Sequence, residues 1–206
     1  VKRIIGVSAV GSLSEDIHPG DLVLPNQYLD WTKGKRDSTF FGSGIAAHIS
    51  TANPTCPALR HFMRTFVEES GGKIHSDKTY ACVEGPRLGT RAESQFLRKM
   101  GCDVVGMTNV PEVFLAREAQ LCYATIAIAT DYDCWLDDPS QHASVEKVIE
   151  LYKTNIGRVQ KLLRFFTVIR CKSTPCECRS SLKHAVLTDV SQLSGDQKNI
   201  LGFLKE

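Results

Sequence analysis

The stretch LCYATIAIATDYDCW, which spans residues 121–135, decides the fold class. Residues 121–129 are almost continuously apolar instead of alternating with polar residues, which is typical of a β-strand covered on both faces. Such strands occur in α/β proteins, where ligands gather at the carboxyl ends of the strands. Two carboxylates, Asp131 and Asp133, come directly after this apolar run. The stretch therefore predicts both a central strand and a ligand site at its end.

Strands and helices alternate along the rest of the chain. Short apolar runs predict strands at 3–9, 21–28, 78–83 and 103–107, and helical spacing predicts helices at 57–69, 91–100, 109–119 and from 144 onward. This alternation indicates an α/β/α sandwich with a mixed central sheet. After residue 170 the composition becomes cysteine-rich and polar. We therefore expect a domain at 1–170 and a tail at 171–206 outside the main core.

Composition excludes several classes of function. A net charge of +2, without a clustered basic face, argues against a nucleic-acid partner. No run approaches the ~18 consecutive apolar residues of a membrane helix, and no signal peptide precedes the first strand. The eight cysteines are mostly scattered through apolar segments, where a free cysteine behaves as a small hydrophobe. We expect a cytoplasmic protein without a membrane association.

Asp131 and Asp133 are the strongest candidates for acid–base chemistry. Residues two apart on a strand share one face, so both carboxylates can converge on one ligand. A carboxyl group in such a site can donate a proton in catalysis. An acidic turn, with Trp135 covering the core, explains the same residues equally well.

Three further segments carry possible binding residues. Thr108 stands between a predicted strand and a predicted helix, where its hydroxyl and the helix N-terminal amides can hold an anion, although capping the helix is the more common role. Two arginines lie in the segment 84–91 before a capped helix, where they either meet an anion or are solvated. Small residues at 8–13 follow a strand and permit close approach of a ligand to the backbone.

Taken together, these segments resemble the methylthioadenosine phosphorylase type of purine nucleoside phosphorylase. The similarity extends from about residue 3 to 166 and rests on DWT at 30–32, RDSTF at 36–40, EGPR at 84–87, TRAES at 90–94, GMTNVPE at 106–112, LA at 115–116, EA at 118–119 and TDYDCW at 130–135. The resemblance implies the nucleoside phosphorylase fold and phosphorolysis of 5′-methylthioadenosine to adenine and 5-methylthioribose 1-phosphate. It also implies a nucleoside and phosphate as the small-molecule partners, and no metal or organic cofactor.

The resemblance assigns roles residue by residue. It implies that Ser8, Ala9 and Thr108 contact phosphate, and that Asp131 and Asp133 address the N7 and 6-amino edge of adenine as the catalytic carboxylates. An Asp at position 131 favours a 6-amino purine, because a carboxylate accepts from an amino group. Phosphorolysis of 6-oxopurine nucleosides such as inosine remains the alternative.

The same resemblance implies the remaining substrate contacts. Met107 matches the residue that lies against the ribose, and Val145 falls near the methylthio pocket. His48 matches a histidine that reaches into a neighbouring subunit, which implies a homotrimer or a dimer of trimers.

Two departures from the family pattern limit this transfer. Leu88 stands where the family usually has a Phe on the purine, so a stacking contribution of ~0.5–1.5 kcal/mol is lost. No Gly-rich phosphate loop and no Arg-His pair precede Val1. We therefore expect that the chain lacks its N-terminal part and is inactive or nearly so in this form. A non-catalytic homologue is accordingly a second alternative.

The tail contains Cys171, Cys176 and Cys178. The resemblance extends to the Cys-x-Cys tail of some thermophilic members, where such cysteines form disulfides. Zinc is a weaker interpretation of this spacing, because paired Cys-x2-Cys motifs are absent. The sequence therefore favours a disulfide or free thiols over a metal.

Overall fold

The computed structural model describes residues 1–42, 44–138, 144–168 and 176–205. The strands are β1 (Arg3–Ser12), β2 (Leu22–Trp31), β3 (Ile74–Val83), β4 (Val104–Gly106) and β5 (Cys122–Asp131). The helices are α1 (Pro57–Glu69), α2 (Arg91–Lys99), α3 (Glu112–Glu118), α4 (Val145–Val168) and α5 (Gly195–Lys205). Two short 3-10 helices lie at Glu177–Ser180 and Val190–Gln192.

The strands form one mixed sheet that closes into a ring in the order β1-β4-β3-β2-β5. Strands β1 and β5 pair in parallel along almost their whole length, and β4, β3 and β2 form a second parallel block. Short antiparallel contacts join the two blocks, at Gly11 with Val105 and at Leu22 with Ile128. The predicted α/β class with a mixed sheet is confirmed. The sheet is not flat, because the twist of its strands curves it until it closes on itself.

Strand β5 is buried along its full length, as its continuous apolar sequence predicts. Cys122, Ala124, Ile126 and Ile128 belong to a core packed by α1 and α4, which contribute Leu59, Met63 and Val159. Tyr123, Ala127 and Ala129 belong to the core on the other face of the strand. Successive side chains thus enter two different cores, which explains why no polar residue interrupts the run.

The helix boundaries show where local sequence signals suffice. Helix α1 spans the predicted residues, with proline in its first turn. Helix α2 begins with a complete capping box between Thr90 and Glu93. Helix α3 begins at Glu112 and not at the predicted Asn109. Helix α5 was not predicted from the sequence, because only Leu201 and Leu204 of this polar segment are buried.

Residues 176–205 pack against the rest of the molecule, which differs from the expected position outside the main core. Cys178 is 2% exposed and belongs to the core between β5, α1 and α4. Leu182, Leu201 and Leu204 form a separate core with Phe41. These buried apolar side chains hold the otherwise polar C-terminal segment against the rest of the molecule. Cys171 lies outside the described residues.

Among the described residues, no helix combines the length and the apolar character that crossing a membrane requires.

Candidate active site

A cavity of about 300 Å³ opens where the strands end. Every strand contributes to its wall from the carboxyl-terminal part, and the contributing residues include Gly11, Trp31, Val83, Gly106 and Asp131. Ligand sites of open α/β sheets form at such strand ends, and this ring of strands follows the same pattern. The cavity is lined by Ala9, Leu88, Met107, Thr108, Asp131 and Asp133, all of them candidates from the sequence.

Hydrogen bonds from Asp133 and Thr130 help to hold Asp131 in place. Its Oδ1 accepts from the backbone N–H of Asp133 at 2.7 Å, and its Oδ2 accepts from Thr130 Oγ1 at 2.7 Å. A carboxylate accepts hydrogen bonds on both of its oxygens. The side chain is 6% exposed and lines the cavity. It is therefore a hydrogen-bonded carboxyl group in the wall of the cavity.

Thr130 can satisfy either protonation state of Asp131. Its Oγ1 also lies 3.2 Å from the carbonyl oxygen of Val10, and a hydroxyl has only one proton to donate. With Asp131 ionised, Thr130 donates to Oδ2. With Oδ2 protonated, the carboxyl donates to Thr130, whose proton then turns to Val10. Thr130 also lies at a β-bulge between β5 and β1. Val10 of β1 pairs with Ala129 and Gly11 pairs with Asp131, so no residue of β1 pairs with Thr130. Such bulges occur beside active sites and redirect side chains.

Asp133 reaches the cavity through a turn and not through strand alternation. Strand β5 ends at Asp131, and Asp133 has a φ of 52°. This left-handed conformation is uncommon outside glycine, although aspartate tolerates it better than most residues. We expected the two aspartates to lie on one face of a single strand, and this is wrong because Asp133 follows the strand. Both carboxyl groups nevertheless line the same cavity.

Gly11 makes room for this arrangement. A Cβ atom there would lie 3.0 Å from Asp131 Oδ1 and 3.1 Å from Asp133 Cβ. Both distances are tighter than ordinary contacts, so a larger residue would push the carboxyl groups apart. The sequence places Gly11 among small residues after a strand without showing which neighbour requires it.

Three hydroxyl groups meet beside the cavity. Ser8 Oγ lies 3.0 Å from Thr108 Oγ1 and 3.1 Å from the hydroxyl of Tyr80. Burial raises the pKa of Tyr80, which keeps its phenol protonated and able to donate. Thr108 and Ala9 line the cavity, whereas Ser8 is 3% exposed and stands behind them. The structure thus groups two of the predicted phosphate contacts with a tyrosine that the sequence did not indicate.

The expected helix N-terminus beside Thr108 is not present. Helix α3 starts four residues after Thr108, and its first turn carries the carboxylate of Glu112, which accepts from Tyr123 at 2.6 Å. Asn109 points elsewhere and donates to Thr125 Oγ1 at 2.6 Å. Side-chain hydroxyls, and not helix amides, are therefore the donors on this side of the cavity.

Aromatic surface comes from residues that sequence reasoning missed. Trp31 and Phe96 both line the cavity, with ring centroids 5.3 Å apart and planes inclined by 44°. Leu88 lies in the same wall and is about half exposed. Trp31 is the last residue of β2, so its position at a strand end was the one available signal.

The arginines of segment 84–91 are engaged within the protein. Arg87 donates to both carboxylate oxygens of Glu93, at 2.8 and 2.6 Å, and Arg91 lies 3.5 Å from Asp137. The hydrogen bonds from Arg87 hold the pKa of Glu93 down at about 2. These contacts support the structural alternative for Arg91, whereas Arg87 also lines the cavity.

Two predicted substrate contacts lie away from the cavity in this chain. His48 is exposed, and its backbone N–H donates to Ala185 O at 2.8 Å. Val145 is 61% exposed at the start of α4, and Val148, one turn later, lines the cavity instead. The place of Val145 near a methylthio pocket therefore stays a prediction, and Val148 is the residue of this helix that lines the cavity.

Comparisons with known proteins agree with this geometry. Residues 1–167 match the model of the phosphorylase superfamily. An S-methyl-5′-thioadenosine phosphorylase from Geobacter sulfurreducens is 42% identical over 99% of this chain and 71% of its own length. One from Hyperthermus butylicus is 48% identical over 91% of this chain and 68% of its own length.

Solved structures give the same result. A methylthioadenosine phosphorylase from an antarctic soil metagenomic library superposes with a TM-score of 0.90 at 39% identity, covering 99% of this chain and 72% of that one. The methylthioadenosine phosphorylase of Schistosoma mansoni in complex with adenine gives 0.75 at 36% identity, over 79% and 63% of the two chains. A cavity at the strand ends, two carboxyl groups in its wall and these similarities lead to one conclusion: the chain belongs to the phosphorylase superfamily, in the same family as the S-methyl-5′-thioadenosine phosphorylases.

Proposed function

We propose that the protein catalyses phosphorolysis of 5′-methylthioadenosine to adenine and 5-methylthioribose 1-phosphate. One observation carries this proposal: a single cavity is lined both by Ala9 and Thr108 and by Asp131 and Asp133. Phosphate needs hydroxyl and amide donors, and a departing purine needs a proton donor. The cavity places both kinds of group around one space.

In the proposed reaction, a phosphate oxygen attacks C1′ of the ribose while the bond from C1′ to N9 breaks. The electron pair of that bond passes to the purine, and a protonated carboxyl gives its proton to N7. General acid catalysis of this kind contributes ~10²–10⁴-fold to a rate. Asp131 suits the proton transfer because Thr130 has a hydrogen-bonding arrangement for each of its protonation states. No metal or organic cofactor takes part in these steps.

Base selection follows from the same acids. The 6-amino group of adenine donates hydrogen bonds, and carboxylate oxygens accept them. A 6-oxopurine presents an acceptor at that position and would face Asp131 or Asp133 without a donor. Trp31 and Phe96 supply an aromatic surface for the purine, which offsets the Leu88 that stands in place of the family's Phe.

The proposed active unit is a homotrimer or a dimer of trimers in which His48 enters the site of a neighbouring subunit. His48 is exposed and is not among the residues that line the cavity of its own chain, which supports this role. A mixed trimer of His48→Ala and Asp131→Asn subunits would then regain some intact sites and some activity. If the mixed trimers recover no activity, His48 does not contribute to the site of a neighbouring subunit.

The proposed reaction is tested by following release of adenine from 5′-methylthioadenosine with and without phosphate. The assay and the variants below use residues 1–206 beside a form extended at the N-terminus, because the sequence predicts little activity for residues 1–206 alone. We expect release only with phosphate, and release without it would indicate a hydrolase. Thr108→Val should raise KM for phosphate and lower kcat, by up to ~10²-fold if one donor to the anion is lost. Thr55→Val is the matched control, because Thr55 is buried and its hydroxyl makes no hydrogen bond within the described structure. Equal kinetics for both variants would argue against a phosphate contact at Thr108.

A further inference from the structure

Four cysteines from three parts of the chain meet in one place. Cys56 precedes α1, Cys122 opens β5, and Cys176 and Cys178 belong to the C-terminal segment. Their four Sγ atoms all lie within 4.8 Å of one another, and those of Cys122 and Cys176 are 3.4 Å apart. The proposed phosphorolysis uses none of these residues.

The spacing of the sulfur atoms fits a metal ion at their centre. Zn²⁺ binds four thiolates as a tetrahedron with Zn–S bonds of ~2.3 Å, which places neighbouring sulfurs about 3.8 Å apart. One observed separation, 3.4 Å, lies below this value and none exceeds 4.8 Å, so small side-chain movements would complete the tetrahedron. Thiolate ligands in a tetrahedral set select zinc or iron among the common metals.

The surroundings complement the charge of such a centre. Zn²⁺ with four thiolates carries a net charge of −2, which is costly inside a protein without a counter-charge. Arg117 Nη1 donates to Cys178 Sγ at 3.1 Å, and the arginine is 6% exposed. The acid beside it is Glu177, whose carboxylate is largely exposed and 3.9 Å away. A buried cation against one sulfur is the outer contact that thiolate centres require.

The cluster is mostly enclosed, and Cys176 is the one of its four cysteines that is partly exposed. Cys56, Cys122 and Cys178 are buried, and Leu59, Met63 and Val159 belong to the same core. Four protein ligands and no open coordination position distinguish structural zinc sites from catalytic ones. An ion here would have no access to substrate.

We propose that Cys56, Cys122, Cys176 and Cys178 bind one structural Zn²⁺ ion that fastens the C-terminal segment to the core of the domain. On binding, the four thiols release four protons to solvent as Zn²⁺ replaces them, and no oxidant or reductant is needed. This assignment goes against the sequence-based preference for a disulfide or free thiols. The spacing of Cys176 and Cys178 alone looks poor for zinc, and the two missing ligands come from positions far away in the chain.

The test measures zinc in the protein purified under reducing conditions from zinc-supplemented medium. We expect about one zinc ion per chain, retained through gel filtration and released when a mercurial reagent blocks the thiols. Cys178→Ser should lower the zinc content at least about fivefold, because only three ligands remain. Cys102→Ser is the matched control, since Cys102 is equally buried but lies outside the cluster, and it should keep its zinc.

A second measurement covers the case in which Cys178→Ser does not fold. The unaltered protein, stripped of metal and reloaded with Co²⁺, should show the intense visible absorption and the charge-transfer bands of a tetrahedral cobalt thiolate centre. Removal of the metal should also lower the thermal midpoint of unfolding. Fewer than about 0.1 zinc per chain, with all four thiols free or paired as disulfides by mass spectrometry, would overturn the proposal.

Discussion

The two ends of strand β5 differ in what their polar atoms face. The strand has ten residues and therefore spans roughly 30 Å. At its carboxyl end, Asp131 lines a cavity that Asp133 and Thr108 also line. At its amino end, Cys122 is enclosed with three other thiols and the side chain of Arg117 beside them.

This contrast separates the site that we propose for substrate from the one that we propose for stabilising the fold. Groups that bind substrate must leave hydrogen-bonding capacity open, and the protein stabilises them from behind, as Thr130 does for Asp131. Polar groups that only stabilise the fold contribute most when all of their hydrogen-bonding or coordination positions are occupied by partners within the protein. The same strand provides both, because each of its ends meets different neighbours.

The largest effect is expected from Asp131→Asn. The amide can neither give a proton to N7 nor accept from the 6-amino group with the same strength, so kcat/KM for 5′-methylthioadenosine should fall by ~10²–10⁴-fold. Inosine should lose less, because the new NH₂ group can donate to its 6-oxo oxygen. Steady-state kinetics with both nucleosides measure the difference.

Asp137→Asn is the matched control for this experiment. Asp137 carries the same carboxyl group fully exposed, 3.5 Å from Arg91, and does not line the cavity. Its kinetics should stay close to those of the unaltered protein. Equal losses for both substrates in Asp131→Asn would mean that Asp131 does not read the 6-position.

The carboxyl end of β5 was largely predictable and the amino end was not. The apolar run predicted the strand, and two acids directly after it predicted a ligand site, since strand ends meet at one edge. The route of Asp133 through a left-handed turn could not be predicted, because alternation along a strand was the only available rule. Trp31 and Phe96 were missed because the end of β2 and a residue of α2 come into contact only in the folded chain.

The cysteine cluster shows a different limit. Cys56 and Cys122 sit in apolar segments, where a lone cysteine behaves as an ordinary hydrophobic residue. Only the folded chain brings them to Cys176 and Cys178, so no spacing rule along the sequence could find four ligands. The packing of residues 176–205 onto the domain was missed for the same reason, since its few buried leucines are widely spaced.

A smaller effect is expected one residue before Asp131. Thr130→Val keeps the shape of the side chain but removes the hydroxyl that bonds Asp131 Oδ2 at 2.7 Å. A hydrogen bond of this kind contributes ~1–1.5 kcal/mol, so kcat should fall by about tenfold while KM for the nucleoside changes less. Thr130→Ser restores the hydroxyl and should recover most of kcat. A serine variant as slow as the valine variant would show that packing of the methyl group, and not the hydrogen bond, positions Asp131.

The smallest effect concerns Glu93, an acid of the cavity rim whose bonds are internal to the protein. Glu93→Gln keeps an oxygen that can accept from the Thr90 N–H, so the capping box survives, but it loses the charge that pairs with Arg87. Exposed ion pairs contribute ~0.2–1 kcal/mol, which for a chain of this size lowers the thermal midpoint by at most about 4 °C.

The difference in thermal midpoint between the unaltered and Glu93→Gln proteins depends on pH. This dependence distinguishes loss of the ion pair with Arg87 from loss of the capping box at Thr90. The hydrogen bonds from Arg87 lower the pKa of Glu93 from 4.5 to about 2 in the folded protein. The stabilisation of the folded protein by the ion pair between Glu93 and Arg87 is therefore complete above the ordinary pKa of Glu93. It declines as the pH falls from 4.5 toward 2. Thermal midpoints of the unaltered and Glu93→Gln proteins should accordingly converge as the pH is lowered from 7 toward 3. Thr90→Ala, which removes the hydroxyl of the cap, should stay destabilised over the whole range. A Glu93→Gln deficit that does not shrink on acidification would place the loss in the capping box, and Arg87 would then contribute nothing measurable to this corner of the cavity.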